Sequence, residues 1–214
     1  MNPKKGLVGY YNYTVIITYI SLGLAVIGLV NATSGNVHAA IICLLACGLC
    51  DAFDGTIAKT KKRTAQEKSF GAHIDSLSDL VAFGILPATI LFGLGLRGPL
   101  CYVAMIFYAL TALIRLAYFD VQEIYSNRDV ERREYFSGLP VTNAAVVFPT
   151  ALVLDLLFKI DAKYFYLAFL ILTGIAFVTP LKIKKLYLPA LLIPVGIVFV
   201  VGIVFIIFGG VYNA

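Results

Sequence analysis

Apolar residues run along this chain in blocks of roughly twenty, separated by short breaks rich in Gly, Pro, Asn and Ser. Seven blocks stand out, at about 13–33, 37–59, 70–96, 99–121, 140–158, 163–179 and 188–208. The breaks include "NATSGN" at 31–36, "GLRGP" at 95–99, "SGLP" at 137–140 and Pro180. A helix needs about 20 apolar residues to cross about 30 Å of hydrocarbon. The pattern therefore predicts an all-α, polytopic membrane bundle in a single domain over 1–214. Block 163–179 is short for a crossing, which widens the expected count to six to eight helices. The residue-by-residue alternation of a membrane β-barrel is absent.

Composition agrees: 60% of the 214 residues are hydrophobic and only 14% charged, against about 25% charged in a soluble domain. The apolar stretch from Val15 to about Ala32 lacks a small-x-small cleavage site and reads as a first span rather than a signal peptide. With the N-terminus in the cytoplasm, thirteen Lys and Arg fall on that side: Lys4, Lys5, five at 59–68, three at 128–133 and three at 182–185. Arg97, Lys159 and Lys163 fall opposite. That asymmetry predicts a cytoplasmic N-terminus, with Tyr10, Tyr11 and Tyr13 in an interfacial aromatic belt. A net charge of +5, scattered over short loops, suits anionic headgroups and not nucleic acid. Cys43, Cys47 and Cys50 share one helix face and read as small packing residues.

Against this background, "DAFDGTIAKTKKRTAQEKSFGAHIDSLSD" at 51–79 stands out. Asp51 and Asp54 lie near the end of the second block, Asp75 and Asp79 near the start of the third, at the same membrane face. Offsets of three and four keep each pair on one helix face. If the helices pack antiparallel, four carboxylates converge. Like charges raise one another's pKa, so they need protons or cations. Protons would suit a relay in a transporter. Hard oxygens without a His or Cys set select Mg²⁺, Mn²⁺ or Ca²⁺, and four carboxylates can hold two metals about 3.5–4 Å apart, as in two-metal phosphoryl transfer. Gly55, Ala58 and Gly71 leave room for a ligand against the backbone, which a nucleotide needs and a proton relay does not.

The stretch reads D-x2-D-G-x2-A-K-x11-G-x3-D-x3-D and resembles the signature of the CDP-alcohol phosphotransferases (CDP-alcohol phosphatidyltransferases), integral membrane enzymes of phospholipid synthesis. Two features depart from it. Lys59 stands where the family usually has Arg, keeping charge but losing the bidentate fork, and the gap before Gly71 is longer than the commonest form. "IDSLSDLVAFGILPA", "IRLAYFDVQE" and "YFSGLPVTNAA" are similar to the bacterial phosphatidylserine synthase branch, which typically shows "DSLADLVTFGVAPA", "LRLARFN" and "F-x-GLP". The likeness covers roughly 50–148.

The resemblance implies transfer of a phosphatidyl group from CDP-diacylglycerol to L-serine with release of CMP. It implies two divalent cations, Mg²⁺ or Mn²⁺ with Ca²⁺ as an alternative occupant, on Asp51, Asp54, Asp75 and Asp79. It further implies Asp79 as general base, CDP against Gly55, Ala58, Lys59 and Gly71, a multi-pass location in the cell membrane with the active site facing the cytoplasm, and a homodimer. Arg115, inside the fourth block, would bind the serine carboxylate or a lipid phosphate, or else pair with Asp120. Asn143 and Thr142 could hydrogen-bond the acceptor. His73 reads as interfacial without a role. Glycerol phosphate, inositol phosphate or another alcohol is the alternative acceptor, and a cation- or proton-coupled transporter the alternative class. The transporter would show inverted repeats or broken helices near the midplane, and neither is visible.

Overall fold

The computed structural model describes residues 9–58, 60, 63–126, 135–137, 139–158, 161–180 and 182–184. A 3₁₀ turn, Tyr13–Val15, leads into α1 (Ile16–Thr33), with Asn12 accepting from the Thr14 amide at 3.0 Å. Then come α2 (Val37–Ala58), α3 (Ala65–Asp79), a π-helical turn (Leu80–Ile85), α4 (Leu86–Gly93) and α5 (Pro99–Ser126). A 3₁₀ turn, Val141–Asn143, precedes α6 (Ala144–Phe158), and α7 is Ala162–Val178. Two three-residue strands, β1 (Tyr135–Ser137) and β2 (Lys182–Lys184), pair antiparallel with Phe136 opposite Ile183.

Among the described residues, four helical stretches are long and apolar enough to span a membrane: Tyr13–Thr33, Val37–Asp54, Ala65–Gly93 and Pro99–Gln122. Val141–Leu154 and Ala162–Val178 are apolar but shorter. The expected block 188–208 lies outside the described residues, as do residues 127–134 and 138 between the fourth and fifth blocks. The third helix starts at 65 rather than 70. Thr64 accepts from the Glu67 amide and Glu67 accepts from the Thr64 amide, a capping box that adds a polar turn before the apolar run begins.

The breaks expected from Gly and Asn are turns. Between α1 and α2, Gly35 has φ +83°, where only glycine is at ease. Asn36 then caps α2 by accepting from the Ala39 amide at 3.1 Å. Between α4 and α5, Gly95 and Gly98 both have positive φ.

Packing puts small residues inside and branched ones outside. The buried stripe of α1 is Thr18, Ser21, Ala25, Gly28 and Ala32, while Ile16, Ile20, Val26, Ile27 and Val30 face outward. Lipid is as apolar as leucine, so close backbone approach rather than hydrophobic burial holds helices together. At Gly48 a Cβ would lie 2.5 Å from that of Ala145, so α2 and α6 pack almost backbone to backbone. Deep in the bundle, Tyr108, Phe148, Tyr166 and Phe177 stack with ring centroids 4.9–5.5 Å apart.

The π turn has an identifiable cause. Pro87 has no N–H to give to Phe83, one turn earlier. The Leu86 amide reaches back five residues to Val81 instead, and the Phe83 carbonyl accepts the Tyr108 hydroxyl at 2.8 Å. Tyr166 donates to the Pro87 carbonyl at 3.0 Å. The Phe83 carbonyl freed by the proline thus finds a side-chain donor, as the membrane interior demands. The wider turn begins one residue after Asp79.

Candidate active site

A cavity of about 250 Å³ opens where α2, α3, α5 and the start of α6 meet. Asp51 enters it from α2. Ala72, Asp75, Ser76 and Asp79 enter from α3, and Arg115, Leu116, Phe119 and Asp120 from α5. Pro140, Val141 and Thr142 close the far wall.

Helix α1 holds the acid-bearing helices in register. The Ser78 hydroxyl donates to the Thr18 carbonyl at 3.4 Å and the Cys47 thiol to the Ser21 carbonyl at 3.3 Å. These ties sit beside Asp79 and Asp51 in sequence. The Gly48–Ala145 approach then fixes α2 against the helix that follows Thr142.

The antiparallel convergence expected of the four acids is present for three of them. Asp51, Asp75 and Asp79 share the cavity. Asp54 does not line it, but its charge bears on Asp79 together with those of Asp51 and Asp75. Asp79 is only 9% exposed. Among the described residues neither Asp51 nor Asp79 has a hydrogen-bonding or cationic partner. An anion so placed is costly in a membrane unless something positive meets it. The donors are all hard oxygens, which fits a hard divalent cation in chemical kind. Among the described residues no three His, Cys, Asp or Glu side chains are gathered closely enough to ligate one ion, and mutual repulsion of the carboxylates opposes closer approach.

Arg115 is buried, at 5% exposure. Its Nε donates to the Leu139 carbonyl at 3.0 Å, and its guanidinium lies 5.8 Å from the Phe119 ring centroid. The pairing with Asp120 considered from sequence is not made. Asp120 accepts instead from the Ser76 hydroxyl at 2.6 Å and has His73 Nδ1 at 3.8 Å. His73 is thus an exposed neighbour of a cavity acid.

Thr142 lines the cavity, whereas Asn143 is not among its lining residues. Gly55 and Ala58 lie in the last turn of α2, and Lys59 is outside the described residues. Gly71 has Arg63 across it: a Cβ there would sit 3.2 Å from Arg63 Nη1. Arg63 Nε is buried without a hydrogen-bond partner. Sequence reasoning passed over Ser76 and Arg63. Ser76 was legible as the residue after Asp75 on the same face as the acids. Arg63 was not, since the approach of its guanidinium to Gly71, eight residues on, follows no helical spacing.

The model of the family described as CDP-alcohol phosphatidyltransferase matches residues 11–201. The chain belongs to that family. The family uses divalent cations. Among curated relatives, a CDP-diacylglycerol–serine O-phosphatidyltransferase of Saccharomyces cerevisiae is 35% identical over 108 residues, 49% of this chain and 38% of that protein. The Mycobacterium leprae protein of the same name is 29% identical over 70% of this chain and 50% of its own length. An archaetidylserine synthase of Methanothermobacter thermautotrophicus is 25% identical over 78% of this chain and 69% of its own. The aligned part of this chain spans about two fifths to one half of the first two relatives.

Proposed function

We propose that this chain is a single catalytic domain over 1–214 that transfers a phosphatidyl group from CDP-diacylglycerol to L-serine and releases CMP. The observation that carries the reading is the cavity that joins the motif acids Asp51, Asp75 and Asp79 to the buried Arg115. The serine-specific names of the relatives support the acceptor. A phosphorylated acceptor would call for a larger basic pocket, and among the described residues that line the cavity Arg115 is the one cation.

In this reading the serine hydroxyl attacks the lipid-side phosphorus. A new P–O bond forms to serine, and the bond from that phosphorus to the bridging oxygen breaks. CMP departs with the bridging oxygen. Asp79 takes the hydroxyl proton, since a buried carboxylate beside the acceptor space is placed to accept it. Arg115 offers a planar fork suited to the serine carboxylate, with Thr142 as a hydroxyl partner and Asn143 adjoining it. CDP lies against Gly55, Ala58, Lys59 and Gly71, and Arg63, across Gly71, offers the fork that Lys59 lacks. Asp51, Asp54, Asp75 and Asp79 would hold two divalent cations, Mg²⁺ or Mn²⁺, with Ca²⁺ as a competing occupant. Such cations supply charge neutralisation at the phosphoryl oxygens and the leaving group.

We place the cavity at the cytoplasmic face of the cell membrane, following the Lys and Arg asymmetry, and read the assembly as a homodimer. The test is CMP release by purified protein given CDP-diacylglycerol and a panel of alcohols, with and without EDTA. Serine-dependent release that stops in EDTA and returns with Mg²⁺ or Mn²⁺ is expected. Full turnover in chelator would remove the cations from the reading, and release with glycerol phosphate but not serine would replace the acceptor.

A further inference from the structure

Asp120 poses a question that the transfer chemistry leaves open. It is a fourth carboxylate beside Asp51, Asp75 and Asp79 in the cavity, it lies outside the four-acid motif, and it sits five residues from Arg115 on the same helix. Its geometry is built rather than incidental. The Ser76 hydroxyl donates to Oδ1 at 2.6 Å, which fixes the carboxylate across the α3–α5 gap. On Oδ2 the neighbour is His73 Nδ1 at 3.8 Å, beyond hydrogen-bond distance. The side chain is 23% exposed, so it meets the cavity and not bulk water alone.

We infer that Asp120 receives the ammonium group of an amino-acid acceptor, so that Arg115 and Asp120 together select a zwitterion. The inference rests on the serine reading above. That acceptor brings a hydroxyl, a carboxylate and an ammonium into one small space. Asp79 and Arg115 answer the first two. The third is a buried cation that needs an anion and acceptor oxygens, and Asp120 is the cavity acid outside the motif set. Ser76 is its positioning residue. An amine-free acceptor leaves Asp120 an unmatched anion, and discrimination of that kind is strong because a site built for a polar group is left unpaired without it.

The experiment compares full-length native protein with Asp120→Asn, Asp120→Glu and Ser76→Ala in detergent micelles, by CMP release. Acceptors are L-serine, 3-hydroxypropanoate, which lacks the ammonium, and ethanolamine, which lacks the carboxylate. Asp120→Asn should raise the serine KM about 10- to 100-fold, the scale of a lost charge-assisted hydrogen bond. The CDP-lipid KM should move far less. The native preference for serine over 3-hydroxypropanoate should shrink by a similar factor. Asp120→Glu should recover part of the loss, and Ser76→Ala, which keeps the charge but frees the carboxylate, should raise the serine KM several-fold. If native protein uses serine and Asp120→Asn leaves its KM unchanged, the inference fails alone. It also fails alone if the CDP-lipid KM or the cation requirement moves as much as the serine KM, since Asp120 would then serve the nucleotide or the ions. If native protein does not use serine, the serine reading fails and takes this inference with it.

Discussion

The contact between Gly48 and Ala145 offers a test of how the site is positioned. Gly48→Ala puts a methyl 2.5 Å from the Ala145 Cβ, where ordinary contact begins at 3.4 Å. The helices must separate by nearly 1 Å, because the obstacle lies next to backbone, with the Ala145 Cα at 4.0 Å. Overpacking of this kind costs about 1–3 kcal/mol. Alanine is favoured over glycine in a helix by about 1 kcal/mol, so the single change should cost about 0–2 kcal/mol. Ala145→Gly should cost about 1 kcal/mol for the same propensity reason. Combining them moves the methyl from one helix to the other and restores the contact, so the double variant should lie within about 0.5 kcal/mol of native protein. The propensity contributions cancel around the cycle, leaving a coupling of about 1–3 kcal/mol, the size expected for touching residues. Thermal unfolding in detergent measures the stability. CMP release reads the consequence at Asp51, one turn from Gly48, where a 1 Å displacement costs on the order of 100-fold in rate. Gly48→Ala should lose activity and the double variant should regain it. A double variant no better than Gly48→Ala would refute the packing argument.

Tyr108→Phe should destabilise the protein by about 1–3 kcal/mol, because the Phe83 carbonyl, deprived of an amide donor by Pro87, loses its hydroxyl partner; an unchanged unfolding midpoint would mean another donor replaces it. Asp79→Asn should abolish CMP release yet retain more CDP-lipid binding than Asp54→Asn, and substantial turnover by Asp79→Asn would remove it as the base. Arg115→Lys should raise the KM for serine more than that for CDP-lipid, since it keeps charge but loses the fork; the reverse ranking would assign Arg115 to the lipid phosphate. Single cysteines placed at Thr60 and Arg97 should label from opposite sides of intact cells, with Thr60 cytoplasmic, and labelling of Thr60 from outside would invert the proposed topology.

Much of this protein was legible in its sequence because the membrane constrains it so strongly. A span must satisfy its own backbone, so long apolar runs can only be helices, and the runs at 13–33, 37–59 and 99–121 correspond to α1, α2 and α5. Gly35, Gly95 and Gly98 marked the turns through the positive φ they supply. The spacing of Asp51, Asp54, Asp75 and Asp79 at a shared depth pointed to one site, and Asp51, Asp75 and Asp79 do share the cavity while Asp54 does not line it. Tertiary structure decided the rest. Hydropathy is nearly uniform around α1, so it cannot say that the Thr18–Ser21–Ala25–Gly28 face is the inner one; backbone approach to α2 and α4 chose it. The π turn after Asp79 depends on Tyr108, 21 residues beyond Pro87 in sequence, reaching the carbonyl that the proline frees. Asp120 turns to Ser76 instead of Arg115 because α3 packs beside α5, a contact between residues 44 apart that no local pattern encodes. Whether a carboxylate in this chain faces a partner, a cavity or a neighbour of like charge is fixed by which helices meet, and the sequence states only that the carboxylates are there.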